Sequence, residues 1–128
     1  MKKILLGLLT LGLVLMVTGC GSAQIMNVPS QPISEKTTSA AVFQAIKKAG
    51  AGRGWIVRKS GNNTATATLN VRTHQAVVLI KYSSKQYTID YQSSMNLKYD
   101  ASKNTIHKYY NSWIQNLDNA IKVQLSLL

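Results

Sequence analysis

The sequence predicts an α+β fold: a two-layer sandwich of a helix, an antiparallel meander of three or four strands and a C-terminal helix. Three observations predict it. Between residues 64 and 92, apolar and polar side chains alternate in three short runs, the period of half-buried strands. The runs are joined by connections of a few residues, which forces antiparallel neighbours. Residues 106–125 carry apolar side chains at three- and four-residue spacing, the stripe of a helix that covers a sheet.

The elements follow in order. Thr37, Thr38 and Ser39 can cap a helix whose buried side reads Val42, Ala45, Ile46 and Ala49, and Gly50, Gly52 and Gly54 end it. Trp55–Lys59 is a short β-rich run, and Gly61-Asn62-Asn63 is a turn. Ala65, Ala67, Leu69 and Val71 then share one strand face, with Thr64, Thr66, Thr68, Asn70 and Arg72 on the other. Thr73-His74-Gln75 reads as a connection to a strand with Ala76, Val78, Ile80 and Tyr82 on its core face. Ser83-Ser84-Lys85 turns the chain into a third alternation with Tyr87, Ile89 and Tyr91 inward. Ser93–Leu97 breaks that alternation, as a bulge or a strand-to-helix crossing does. The last helix carries Ile106, Tyr110, Trp113, Leu117, Ala120, Ile121 and Leu125, with Asp100, Ser102 or Asn104 as cap and Lys122 suited to the dipole near its end.

The first 36 residues have a different character. Lys2 and Lys3 precede an uncharged, Leu-rich run from Ile4 to Val17, too short for a comfortable bilayer span but the length of a signal-peptide apolar region. Gly21 to about Glu35 holds Gly, Ser, Asn, Gln and both prolines, Pro29 and Pro32, without apolar periodicity. This predicts a cleaved signal over 1–19, a flexible tether over 20–36 and a folded domain over 37–128.

Val17-Thr18-Gly19-Cys20 directly after the apolar run resembles the lipobox of bacterial lipoproteins. The resemblance implies cleavage between Gly19 and Cys20, an S-diacylglyceryl group on the Cys20 thiol and an acyl chain on its amine. Two or three buried chains make such attachment effectively permanent, since one chain alone binds only marginally. Cys20 is the sole cysteine, so no disulfide forms within one chain.

The chain has 15 Lys+Arg against 4 Asp+Glu. Loss of Lys2 and Lys3 leaves 13 basic residues against the acids Glu35, Asp90, Asp100 and Asp118, a net charge of +9. Such a charge favours anionic partners such as headgroups or cell-wall polymers. Export argues against nucleic acid. The densest basic pairs are Lys47-Lys48 and Arg58-Lys59, and no run exceeds two.

No catalytic signature is present. The sequence has no HExxH, no Gly-rich phosphate loop, no GxSxG and no paired cysteines, and the one cysteine is assigned to lipid. The expectation is no enzyme, no cofactor and no metal. A metal-dependent enzyme using His74 and His107 with Asp90 or Asp100 is the weakest of three readings. A second is a glycan-, peptide- or lipid-binding groove lined by tyrosines, with Arg72, His74, Tyr91, His107 and Tyr110 facing the ligand. The leading reading is a non-enzymatic interaction module that docks on an envelope protein or an anionic polymer.

The series Gly54-Trp55, Val71-Arg72, His74, Ala76, Val78, Ile80, Tyr82, Tyr87, Ile89, Tyr91, Ser94, Asn96-Leu97, Ile106-His107, Tyr110-Asn111, Trp113-Ile114 and Asn116-Leu117 resembles a group of small Gram-negative bacterial lipoproteins. That resemblance implies a compact domain in the periplasm and brings no activity. Gly21 stands where aspartate marks inner-membrane retention in enteric lipoproteins, which implies the outer membrane, with the domain facing the periplasm.

Overall fold

The computed structural model describes residues 21–128. The expected signal segment, its cleavage point and lipidation at Cys20 lie outside the described residues. The chain runs β1 (Ser22–Gln24), β2 (Val28–Pro32), α1 (Ser39–Gly52), β3 (Trp55–Gly61), β4 (Thr64–Val71), β5 (His74–Tyr82), β6 (Gln86–Met95), β7 (Thr105–His107) and α2 (Lys108–Ser126). Five antiparallel strands form one sheet in the order β2-β6-β5-β4-β3, and β1 pairs with β7 in a separate ribbon.

The meander β3–β6 has the faces its alternation dictates. Ala65, Ala67, Ala76, Val78, Ile80 and Ile89 are all fully buried. The register puts them in rows: Ala65 opposite Ile80 and Ile80 opposite Ile89, Ala67 opposite Val78. Both helices cover this face, joining the same core through Val42, Ile46, Ile114, Leu117 and Ile121. The opposite face keeps Thr66, Thr68, Val77, Leu79 and Thr88 half-buried. Small alanines on β4 and β5 give little relief, so α1 sits close to the sheet. At Gly50 an added Cβ would stand 2.5 Å from Val57 Cγ2, which is why this turn of the helix has no side chain. Thr38 caps α1, its hydroxyl accepting from the Ala41 N–H at 3.1 Å.

The largest departure from expectation is the tether. Residues 22–33 are part of the folded body. β2 pairs with β6, Val28 opposite Ile89 and Gln31 opposite Tyr87. Val28 and Ile33 enter the core at 3% and 9% exposure. The prolines permit this because β2 is an edge strand and needs no donors on its outer side. A bulge between Val28 and Gln31 breaks the period-two pattern that would have revealed the strand. β1 is held as well: the Met26 N–H donates to the Asn111 side-chain oxygen, and the Asn111 amide donates to the Gln24 carbonyl. The folded unit therefore begins near Ser22, not at 37.

Smaller corrections concern ends. The β4–β5 connection is Arg72-Thr73, with Arg72 at φ 58°, and His74 and Gln75 belong to β5. The break in β6 is a bulge: Val77 faces Ser93 while Val78 faces Tyr91, leaving Gln92 extra. The last helix starts at Lys108, because Thr105–His107 is spent on pairing with β1. Its cap is His107, and Asp100 closes a turn two elements earlier, accepting from the N–H groups of Ser102 and Lys103. Lys122 is committed to an ion pair with Asp118 at 3.0 Å.

Candidate functional site

Of the five residues expected to face a ligand, Tyr91 and Tyr110 are brought into contact, while Arg72, His74 and His107 each lie at the surface or half-buried. Tyr110 is fully buried beneath the sheet, and its hydroxyl meets no protein partner. Burial, then the charges of Tyr91 and Asp90, push its phenol well above the ordinary tyrosine range. Tyr91 packs edge-on to Tyr110, with ring centroids 5.7 Å apart, and stacks on Tyr99 at 4.4 Å. Its hydroxyl lies 2.8 Å from the Ser94 hydroxyl, and burial raises its pKa. Tyr82 and Tyr87 are core residues. Of the tyrosines, only Tyr99 and Tyr109 are strongly exposed. Tyr82, Tyr87 and Tyr110 are thus packed in the core, and the cleft of about 330 Å³ between β2 and α2 has Tyr87 as its one tyrosine.

The histidines are each engaged singly. His74 Nδ1 donates to the Asn96 carbonyl at 2.7 Å, beside Trp113. His107 Nδ1 accepts the Tyr109 N–H at 3.1 Å, so in the neutral ring the proton sits on Nε2. Among the described residues, no three His, Cys, Asp or Glu side chains are grouped to hold a metal. Arg72 is exposed in its turn, which is tied to the following loop by the Asn96 amide donating to the Thr73 carbonyl at 3.0 Å.

Sequence reasoning missed two arrangements. The first is polar and internal. Asp118 is only 8% exposed, and accepts from the buried Tyr87 hydroxyl and from Lys122. Burial, followed by the hydrogen bond and the charge of Asp118, drives the Tyr87 phenol far above its usual range. The only advance signal was an acid four residues before a lysine on one helix face.

The second lies at the surface. Lys47 from one of the two densest basic pairs, and both members of the other, Arg58 and Lys59, line one groove between α1 and the outer edge of β3. Its volume is about 580 Å³. Phe43, Trp55 and Val57 supply apolar lining, and Lys47, Arg58 and Lys59 are its charged members. Lys59 Nζ stands 5.9 Å from the centre of the Phe43 ring. No acidic residue lines the groove. β3 has only β4 as a sheet neighbour, so its outer backbone edge is unpaired over a seven-residue strand without proline. The opposite edge, β2, carries Pro29 and Pro32. Prolines, bulges and exposed charge are the usual guards of a sheet edge; β3 has the charge and a bulge between Lys59 and Gly61 at its far end, and no proline. Ile56, half exposed, is on the sheet face opposite to Trp55 and Val57 and also lines the groove.

Compared with known proteins, the chain matches no family model, no curated sequence and no solved structure. Among the described residues, no helix is long and apolar enough to cross a membrane.

Proposed function

We propose that this protein is a lipid-anchored, non-enzymatic docking module of the cell envelope. In this reading it is cleaved before Cys20, held to the outer membrane by lipid on that cysteine, and faces the periplasm. The groove at β3 is its binding surface. The ligand is an extended, acidic segment of an envelope protein that adds to the sheet as a sixth strand. The observation that carries the reading is the coincidence of a free strand edge, an apolar floor and three cations with no acid between them. Main-chain hydrogen bonds along β3 would supply affinity, and Phe43 on one face and Ile56 on the other would receive alternate side chains. Lys47, Arg58 and Lys59 would select carboxylates and speed encounter.

The test is a photo-crosslinker at Ile56 in the full-length chain, in intact envelopes. The reading expects a protein adduct that maps to an extended acidic peptide. It expects that adduct to disappear in the Lys47→Glu/Arg58→Glu double variant. An adduct with a cell-wall polymer, or a protein adduct indifferent to the charge reversal, would contradict it.

A further inference from the structure

β1 starts at Ser22, two positions after Cys20. The segment that follows the anchor point is fastened to the body at once. The Lys108 N–H donates to the Gly21 carbonyl at 2.9 Å, and Ser22 pairs with His107. The Gln24 amide donates to the Lys103 carbonyl at 3.2 Å. A single residue, Gly21, about 3.5 Å of extended chain, separates a lipidated Cys20 from this ribbon. Basic residues recur along the chain from Lys36 to Lys122, so charge alone selects no face. The attachment point selects one.

The corner around that point has the chemistry of an interface. A cleft of about 510 Å³ opens beside β1, with Lys98 and Lys103 among its lining. Asp100 is the acid there, and it is turned onto its own loop. Its carboxylate accepts from the Ser102 hydroxyl and from the N–H groups of Ser102 and Lys103, which hold it below the ordinary carboxylate range. Lys108 adjoins Gly21, and Tyr109 next to it is 54% exposed, its ring 4.5 Å from that of His107. Lys98 also holds a left-handed backbone, φ 54°, in a loop that places Asn96 and Asn104 at its other two left-handed positions. Asparagine tolerates that conformation better than lysine does, so the loop keeps a cation at a conformational cost.

We infer that this corner lies flat on the membrane that bears the anchor. Lys98, Lys103 and Lys108 contact anionic phospholipid headgroups, and Tyr109 sits at headgroup depth. The inference rests on the lipid-anchor reading and deepens it. Each basic residue held near an anionic surface favours contact by about five-fold. An amphipathic tyrosine ring suits the boundary itself. The β3 groove lies on the sheet edge opposite to β2, the strand that follows β1 in the chain.

The experiment uses the full chain recovered from membranes, with acylation of Cys20 measured first by mass. Acylation consumes the natural thiol, so one added cysteine is the only site for a fluorescent label. Ala101→Cys places the label in the corner, and Asn62→Cys places it in the β3–β4 turn. Both positions are exposed and neither removes a lysine. In vesicles of phosphatidylcholine with about one-third phosphatidylglycerol, the neutral quencher acrylamide should quench the label at 101 at least about three-fold less than at 62. The triple variant Lys98→Glu/Lys103→Glu/Lys108→Glu, checked for an unchanged melting temperature, should bring the two positions level. Equal quenching with Cys20 acylated overturns the inference and leaves the anchor standing. Shielding that survives the charge reversal overturns the headgroup contact. An unacylated Cys20 overturns the anchor reading and the inference with it.

Discussion

Replacing Tyr87 by phenylalanine removes one oxygen atom from the core and isolates a carboxylate. Tyr87 is 1% exposed and donates its hydroxyl to Asp118, itself 8% exposed. Hydrogen bonds to charged groups contribute about 1.5–3 kcal/mol, and the charge left short of a partner adds to the loss. Lys122 does not make it good, because its side chain is 51% exposed and a surface ion pair is worth about 0–1 kcal/mol. Tyr87→Phe should therefore cost about 2–3 kcal/mol. For a domain of this size that is a fall in Tm of roughly 10–20 °C. Tyr110→Phe is the control. Tyr110 is as deeply buried, but its hydroxyl meets no protein partner, so loss of the oxygen should cost under about 0.5 kcal/mol or stabilise slightly. Urea unfolding of both variants measures the difference directly. A Tyr110→Phe loss equal to that of Tyr87→Phe would refute the assignment of the cost to the Asp118 contact. So would a double variant Tyr87→Phe/Asp118→Asn that is no better than the sum of its parts.

The same tyrosines should make the fold less stable at alkaline pH. Both phenols have folded pKa values raised above the unfolded value of about 10, so their contribution is complete below pH 10 and is lost as pH rises beyond it. Each should add about 1.4 kcal/mol of destabilisation per pH unit above that point, and the loss of stability between pH 10.5 and 12 should be smaller by one tyrosine's share in Tyr110→Phe. Val28→Ala should cost about 1.5–3 kcal/mol in urea unfolding, because Val28 is buried against β6; a tether residue would cost nothing. Thr38→Ala should cost about 1 kcal/mol through loss of the cap on α1, read by the same titration.

How much of this was legible in the sequence depends on whether one period ran unbroken. The strands β4 and β5 carry uninterrupted alternation, and Ala65, Ala67, Val78 and Ile80 lie inward as that pattern requires. The seam of α2 was legible too, though Ile114 joins it and Trp113 is only half-buried. β2 was not legible. Its core contact Val28 and the next one, Ile33 just past its end, are separated by a bulge and two prolines, and its pairing partner lies some sixty residues away. Three-residue strands such as β1 and β7 have too few residues to show any period. The candidate groove needed tertiary structure for a different reason. Lys47 is on a helix and Arg58 on a strand, and only the turn through Gly54, at φ 86°, brings them to one edge. Conversely Tyr110 looked like a groove residue because tyrosine has a polar tip, and burial without a protein partner for that tip left no pattern to read.

The central claim is attachment through Cys20. The most direct measurement is the mass of the N-terminal peptide of the protein extracted from its own membranes. The account predicts a mature chain that begins at Cys20 and carries a diacylglyceryl group and an acyl chain. A chain that retains Met1, or one cut elsewhere with a bare Cys20 thiol, would contradict it.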